Sequence, residues 1–282
     1  EYPTADHAFV IDNRGLYYRD INFYNVLRPK ISGAICTMCA NSKYIENEDI
    51  LFYLLPYGKK NKKKCKYIGW AADHELCVPN KYKDKIQIFI DHSYYGKCVK
   101  MNKKDKSLEI INDVCNFATE FKKNQHKYNV FGKDVFDKEN PIVIKRFISG
   151  SIETVDINNP YYEKYNTVGV PYSEAVKEYG KSDIFIVTHP ECLGVSVIEN
   201  SLAGALPVIP KGYIKKELLY DLECVVYSGN NIPWDEVFTK LNPEKIRNKA
   251  LKHTWEKNTI KIYETLSNYN PSIDKYKNDY IS

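Results

Sequence analysis

The sequence predicts an α/β chain: a Rossmann-type, mainly parallel sheet over residues 85–268, preceded by a reduced α/β region over 1–84 and followed by a tail over 269–282. Three observations carry this reading. From Ile86 onward, short apolar runs of strand length alternate with amphipathic helical patterns, the signature of βαβ units. The 282 residues, 43% of them apolar, can bury a core of about two domains, which excludes wholesale disorder. No apolar run approaches the roughly 18 residues of a membrane-spanning helix, and no charged, apolar, then small segment opens the chain as a leader would.

The N-terminal region is the less regular part. A short strand is expected at Phe9–Ile11, followed by the turn-prone Asp12-Asn13-Arg14-Gly15, and a second at Ile50–Leu55, closed by Pro56 and Gly58. Six lysines crowd the eight residues Lys59–Lys66. Such a run reads as a solvated loop, or as a patch for phosphate or an anionic membrane surface. Another apolar segment, Tyr67–Trp70, precedes the polar cluster Asp73-His74-Glu75, and Pro79–Lys85 reads as a linker. The chain starts at Glu1 and its first Met is Met38, so the natural start is expected upstream.

Beyond the linker the pattern is regular. Ile86–Ile90 reads as a buried strand ending in Asp91-His92-Ser93-Tyr94-Tyr95-Gly96-Lys97. From Ser107, a plausible N-cap, Leu108, Ile111, Val114, Cys115, Ala118 and Phe121 recur at helical spacing. Strands are expected at Tyr128–Phe131, Ile142–Phe147, Ile184–Thr188, Pro207–Ile209 and Cys224–Tyr227. Helices are expected at Ser173–Tyr179, at Val195–Ala203, and from Trp234 and Pro243 onward, with the tail loosely packed.

The net charge of +5 comes from 36 lysines and only five arginines set against 36 acidic residues. Lysine is a flexible point charge, whereas base reading favours the planar arginine fork, so the balance points to anion affinity rather than sequence reading. The eight cysteines are scattered, several in apolar runs, which fits a reducing, cytoplasmic compartment. Cys36-x-x-Cys39 matches half of a redox or zinc site, but no second pair with suitable spacing follows, and core packing is the expected role.

Chemistry concentrates in one stretch. A buried strand ends at Thr188, the loop His189-Pro190-Glu191-Cys192-Leu193 follows, and a helix begins near Gly194. In parallel α/β sheets ligands bind beyond the carboxyl ends of the strands, which is where Glu191 falls. The unpaired N–H groups of Leu193, Gly194 and Val195 open a helix whose positive end suits a diphosphate, and Gly194 lets that group approach the backbone. Glu199, about one turn into the helix, can accept hydrogen bonds from two vicinal hydroxyls. Gly204 ends the helix and Pro207 opens the next strand.

Glu191 and Glu199, with seven residues between them that include Leu193-Gly194, and followed by Ala203-Gly204-Ala205-Leu206-Pro207-Val208, resemble the E-x7-E signature of retaining GT-B glycosyltransferases, particularly glycosyltransferase family 4. Val170-Pro171-Tyr172-Ser173-Glu174-Ala175 and Asp183 also fit that arrangement, and the resemblance covers about 85–263. It implies a GT-B-like fold and transfer of a sugar from a nucleoside-diphosphate sugar, UDP-linked by preference, to an acceptor hydroxyl with retention. Glu199 would hold the ribose hydroxyls, Glu191 the hydroxyls of the transferred sugar, and the N–H groups of Leu193, Gly194 and Val195 the diphosphate. The base would meet the loop Val168–Val170. The family's Gly-Arg…Lys phosphate clamp is missing after the first strand of this domain; Lys97, Lys145 and Arg146 are the substitutes, and His92 and His74 the candidate catalytic or binding histidines.

No Asp-x-Asp triplet occurs, so the expected chemistry needs neither metal nor cofactor and rests on stabilisation of the departing diphosphate by a helix N-terminus and cations; the resemblance further implies that the diphosphate itself assists deprotonation of the acceptor. The acceptor stays open among a saccharide or lipid-linked saccharide, a base in DNA, and a protein. Lys59–Lys66 would supply membrane or DNA contact. A non-catalytic nucleotide-sugar-binding protein is the competing class, with a sugar-nucleotide epimerase or phosphorylase as a further option.

Overall fold

A computed structural model describes residues 8–11, 34–39, 50–53, 65–91, 107–125, 128, 130, 132–133, 135–148, 151–158, 170–190, 194–214, 219, 221–229 and 231–269. Contacts divide the chain into two units, Glu1–Ala71 with Trp255–Ser282, and Ala72–Thr254. The division falls at Ala71/Ala72 and Thr254/Trp255 rather than at the single 84/85 boundary that the sequence predicts.

The first unit is built on a parallel sheet of four strands in chain order: β1 (Ala8–Ile11), β2 (Ile35–Cys39), β3 (Ile50–Tyr53) and β4 (Cys65–Tyr67). Strand β2 is absent from the sequence reading, where its cysteines stand out as a half-site. Cys36 is fully buried with Ala34, Phe52 and Ile68 in the core of this unit, the packing role expected of it. Among the lysines of the basic run, Lys66 is exposed on β4, and Lys59–Lys64 lie outside the described residues.

The second unit contains β5 (Ile86–Ile90), α1 (Ser107–Lys123), β6 (Ile142–Ile148), β7 (Ser151–Thr154), α2 (Tyr172–Lys181), β8 (Ile184–Ile186), α3 (Val195–Leu202), β9 (Leu206–Pro210), β10 (Val225–Tyr227), α4 (Trp234–Lys240) and α5 (Pro243–Ala250). Its sheet runs β10-β9-β8-β5-β6-β7 and is parallel except for β7, which pairs antiparallel with β6. The chain thus crosses from β5 to β6 on one side and returns to β8 on the other, the doubly wound order whose reversal lies between β5 and β8. Both faces of β5 are covered, as a parallel sheet requires. Ile86, Ile88 and Ile90 join Ile110, Ile111, Val114 and Phe121 of α1 in one core. On the alternate face Phe89 stacks on Phe185 at 6.2 Å and meets the edge of Tyr179 of α2 at 5.3 Å.

Two local expectations fail for physical reasons. Of Tyr128–Phe131, the described Tyr128 and Val130 belong to no strand: Gly132, at φ 73°, turns the chain so that Lys133 N–H donates to Val130 O, while 129 and 131 lie outside the described residues. Tyr128 instead packs on Phe121, ring centroids 4.8 Å apart, and on Phe117. Nor is Pro79–Lys85 a linker. Asn80 N–H donates to Gly180 O at 2.8 Å, Lys81 Nζ donates to Ser182 O, and Lys133 Nζ donates to Tyr82 O. This segment belongs to the second unit, sewn against the amino ends of its strands.

After α5 the chain returns to the first unit as α6 (Trp255–Ser267). Ile262, Leu266 and Tyr269 pack against its core, and buried Asn258 donates from Nδ2 to Gly69 O at 2.9 Å. The reduced N-terminal region is therefore completed by the C-terminal helix. Of the tail expected over 269–282, Tyr269 is packed and the rest lies outside the described residues.

Candidate functional site

The carboxyl ends of β5 and β8 meet at the point where the winding reverses. Asp91 directly follows β5, and its N–H donates to Ile186 O at 2.9 Å, while Thr188 Oγ1 donates back to Asp91 O at 3.2 Å. Thr188 and His189 are buried, and His189 Nδ1 stands 3.9 Å from Asp91 Oδ2, an ion-pair distance when the imidazole is protonated. A strand-end acid and a strand-end histidine are thus side by side where a doubly wound sheet receives its ligand.

The helix that follows β8 opens on Gly194. Its φ of 64° is left-handed, a conformation that costs an L side chain about 1–2 kcal/mol, and among the described residues nothing lies within 4 Å of where a Cβ would stand. Among the described residues no side chain caps α3. Its first N–H groups therefore lack an intrahelical partner and carry the positive end of the helix dipole. Beyond its first turn α3 is buried all round, from Val197 to Leu202, so the protein fixes the rotamer of whatever that stretch carries.

It carries Glu199. This carboxylate is only 8% exposed and accepts a hydrogen bond from Tyr172 Oη at 2.7 Å on Oε1. Burial raises its pKa above the ordinary carboxyl value, with the Tyr172 bond opposing that shift. Tyr172 is the first residue of α2, and Tyr179, two turns on, faces the same region: burial, then the charges of Glu199 and Asp91, push its phenol up as well. Cys77 completes the cluster, hydrogen-bonded to Tyr172 through its side chain, and burial with the Glu199 charge pushes its thiol up to about 12. A thiol so perturbed stays protonated and is no nucleophile.

The segment that bears Cys77 is clamped from α5. Arg247 Nη1 donates to Cys77 O at 2.5 Å and to Leu202 O, and Nη2 donates to His74 O at 3.0 Å. Gly180 allows this segment to lie on α2, since a Cβ there would stand 2.7 Å from Val78 O.

The architecture is shared with solved structures of low sequence similarity. The chain matches a glycosyltransferase from Rickettsia africae ESF-5 with a TM-score of 0.53 at 13% identity, over 94% of this chain and 78% of that one. It matches sucrose-phosphate synthase from Thermosynechococcus elongatus with a TM-score of 0.53 at 9% identity, over 91% of this chain and 72% of that one. The fold is GT-B. No protein-family model matches the chain, and no curated protein does.

Within the GT-B fold the sequence-predicted residues separate. Glu199, Gly194 and Val195 lie together on α3. Lys145 lines a cavity of about 290 Å³ between β6, β7 and α2, together with Val170, Glu174, Lys177, Glu178 and Lys181. Arg146, next along the strand, is buried and interacts electrostatically with Cys115 of α1, so the two candidate cations serve opposite faces of the sheet. His74 belongs to the second unit, not to an N-terminal acceptor region. It sits in a turn where Asp73 Oδ1 accepts from the N–H groups of Glu75 and Leu76. Glu191, Leu193, His92, Lys97 and Val168 lie outside the described residues. The sequence reading passed over Tyr172 and Tyr179 as site residues, and over Cys77 and Arg247; only the two-turn spacing of the tyrosines on one helix face was there to be noticed.

Proposed function

We propose that the protein is a glycosyltransferase that moves a sugar from a nucleoside-diphosphate sugar, UDP-linked by preference, to an acceptor hydroxyl with retention at the anomeric carbon and without a metal. The single observation that carries this reading is the buried, under-occupied carboxylate of Glu199, set on the uncapped helix α3 just beyond the point where the sheet reverses. Glu199 accepts the two ribose hydroxyls. The N–H groups at Gly194 and Val195 hold the diphosphate, and their positive field stabilises it as it departs. Glu191 contacts the transferred sugar. Asp91 and His189 stand beside the same site and are the residues to test for contact with it.

The GT-B fold shared with the Rickettsia glycosyltransferase and the sucrose-phosphate synthase supports glycosyl transfer. The acceptor is a saccharide or lipid-linked saccharide, with the lysine run Lys59–Lys66 as an anionic-surface contact. Lys145 with Lys177, in the cavity that Val170 also lines, takes the place of the phosphate clamp.

The test is a thermal-shift panel of UDP, GDP, ADP and their sugars, followed by donor hydrolysis. A bound nucleotide at 100 times its Kd stabilises the fold by about 2.7 kcal/mol. Glu199→Ala abolishes that shift and the turnover. Equal donor hydrolysis by wild type and Glu199→Ala sinks the enzyme assignment, and no response to any nucleotide sinks the donor assignment.

A further inference from the structure

We propose that Tyr172 is a positioning residue for Glu199, orienting its carboxylate and so setting the preference for a ribose diol. The inference rests on the reading of Glu199 as the ribose acceptor and adds to it a second residue with a separate role.

The geometry of the pair is unusual for a surface tyrosine. The Tyr172 side chain is 49% exposed, yet its hydroxyl turns inward to a carboxylate that is 8% exposed. A phenol O–H donating to a carboxylate is a charge-assisted bond, stronger than one between neutral groups. It is also the hydrogen bond that Glu199 accepts among the described residues. A carboxylate has about four acceptor positions, so one bond to Oε1 leaves room for the two hydroxyls of a diol.

What that bond supplies is orientation. The last torsion of glutamate is soft and broad, so an unrestrained carboxylate samples many planes. The backbone of α3 is fixed by burial, the hydroxyl of Tyr172 fixes the far end, and the carboxylate plane between them is determined. Cys77, whose carbonyl is anchored by Arg247, has its thiol near the same hydroxyl. Cys77 remains a neutral S–H and brings no charge that would compete with the diol.

Tyr172 stands immediately after Val170-Pro171, and Val170 lines the neighbouring cavity. Its hydroxyl acts through Glu199. Removing that hydroxyl leaves the half-exposed ring and the fold in place, and thermal unfolding of the variant verifies this.

The experiment measures binding of UDP and of 2′,3′-dideoxyuridine diphosphate by calorimetry to wild type, Tyr172→Phe, Glu199→Gln and the double variant, between pH 5 and 8. Wild type prefers UDP by about tenfold or more, as hydroxyl bonds to a charged acceptor imply. Tyr172→Phe weakens UDP about tenfold, leaves the dideoxy analogue unchanged, and moves the acid limb of UDP binding to higher pH. In the Glu199→Gln background the Phe substitution adds nothing, because the two residues act as one unit. Wild type that does not discriminate the two nucleotides overturns the ribose reading of Glu199. Discrimination that survives Tyr172→Phe intact overturns the role of Tyr172 alone, as does a Phe penalty that is equal in the Glu199→Gln background.

Discussion

Lys133 Nζ stands 3.2 Å from Asp183 Oδ1, with both side chains only 2% exposed, at the amino end of β8. Asp183 also accepts from the N–H of Gln87 through Oδ2 at 2.9 Å, so one buried carboxylate ties the start of β5 to the turn before β8. A buried pair of this kind gives little net stability, but breaking it strands a charge. Asp183→Asn is expected to cost about 3–5 kcal/mol, measured by urea unfolding, with part of the loss recovered when Lys133→Met removes the stranded cation.

Lys81 makes the stability depend on pH. Burial is the main cause that lowers its pKa to about 7 from 10.5, with Asp183 opposing and Lys133 reinforcing the shift. Between those two values the unfolded chain holds the proton that the folded chain has released, so stability rises with pH across the window. Below about 7 the folded protein carries the full cost of the charged amine. Urea titrations from neutral to alkaline pH should show a rising wild-type stability that Lys81→Met flattens; parallel curves would refute the assignment.

Glu199 has the opposite sign. Its pKa is raised by burial, so above the ordinary value of 4.5 the folded state holds a proton that the unfolded state has lost. Stability therefore falls as pH rises through that window, and above it the buried charge is carried in full. Glu199→Gln should raise the Tm of the nucleotide-free protein at neutral pH and lose the advantage near pH 4, while no longer responding to UDP. Equal Tm values for the two proteins at neutral pH would contradict this account.

The Arg247 clamp should be costly to remove. Its guanidinium bonds the carbonyls of His74, Cys77 and Leu202, and a buried carbonyl left without a donor costs about 1–3 kcal/mol. Arg247→Ala is expected to lose about 2–4 kcal/mol in chemical denaturation. Arg247→Lys recovers only part of it, because an ammonium lacks the planar fork. A neutral Arg247→Ala would mean that water replaces the clamp.

At Gly194 a methyl side chain tests backbone strain against space. Gly194→Ala should cost about 1 kcal/mol for the left-handed φ alone, since the site of the Cβ is open among the described residues. If the diphosphate rests there, UDP affinity falls by more than the stability loss accounts for, which calorimetry reads directly.

Local patterns were legible where one residue's environment follows from its neighbours in sequence. Ile86–Ile90, the helix from Ser107 and the run from Ile184 through Pro210 declare themselves by periodicity, and α3 with its Gly194 and Glu199 follows from spacing. Strand β2 was hidden because its five residues, Ile35–Cys39, are short and carry two cysteines and a threonine rather than a clear apolar alternation, although the core role expected of Cys36 holds. Tyr128 misled because a β-favouring aromatic is equally suited to cover α1, and Gly132 turns the chain after it. Strand β7 escaped notice because its four residues, Ser151–Thr154, carry little apolar signal and owe their form to pairing with β6.

The sequence alone determined the alternating α/β order of the second unit, the place of its helix α3, and the presence of a carboxylate one turn into it, because apolar periodicity, glycine and proline act over a few residues. Tertiary structure alone decided that the C-terminal helix completes the first unit, that residues 79–85 are packed rather than linking, and that Tyr172, Cys77 and Arg247 converge on Glu199. The bonded pairs among them lie 27 and 170 residues apart along the chain. Bonds over such separations depend on the whole sheet and its helices being in place, and no local pattern encodes them.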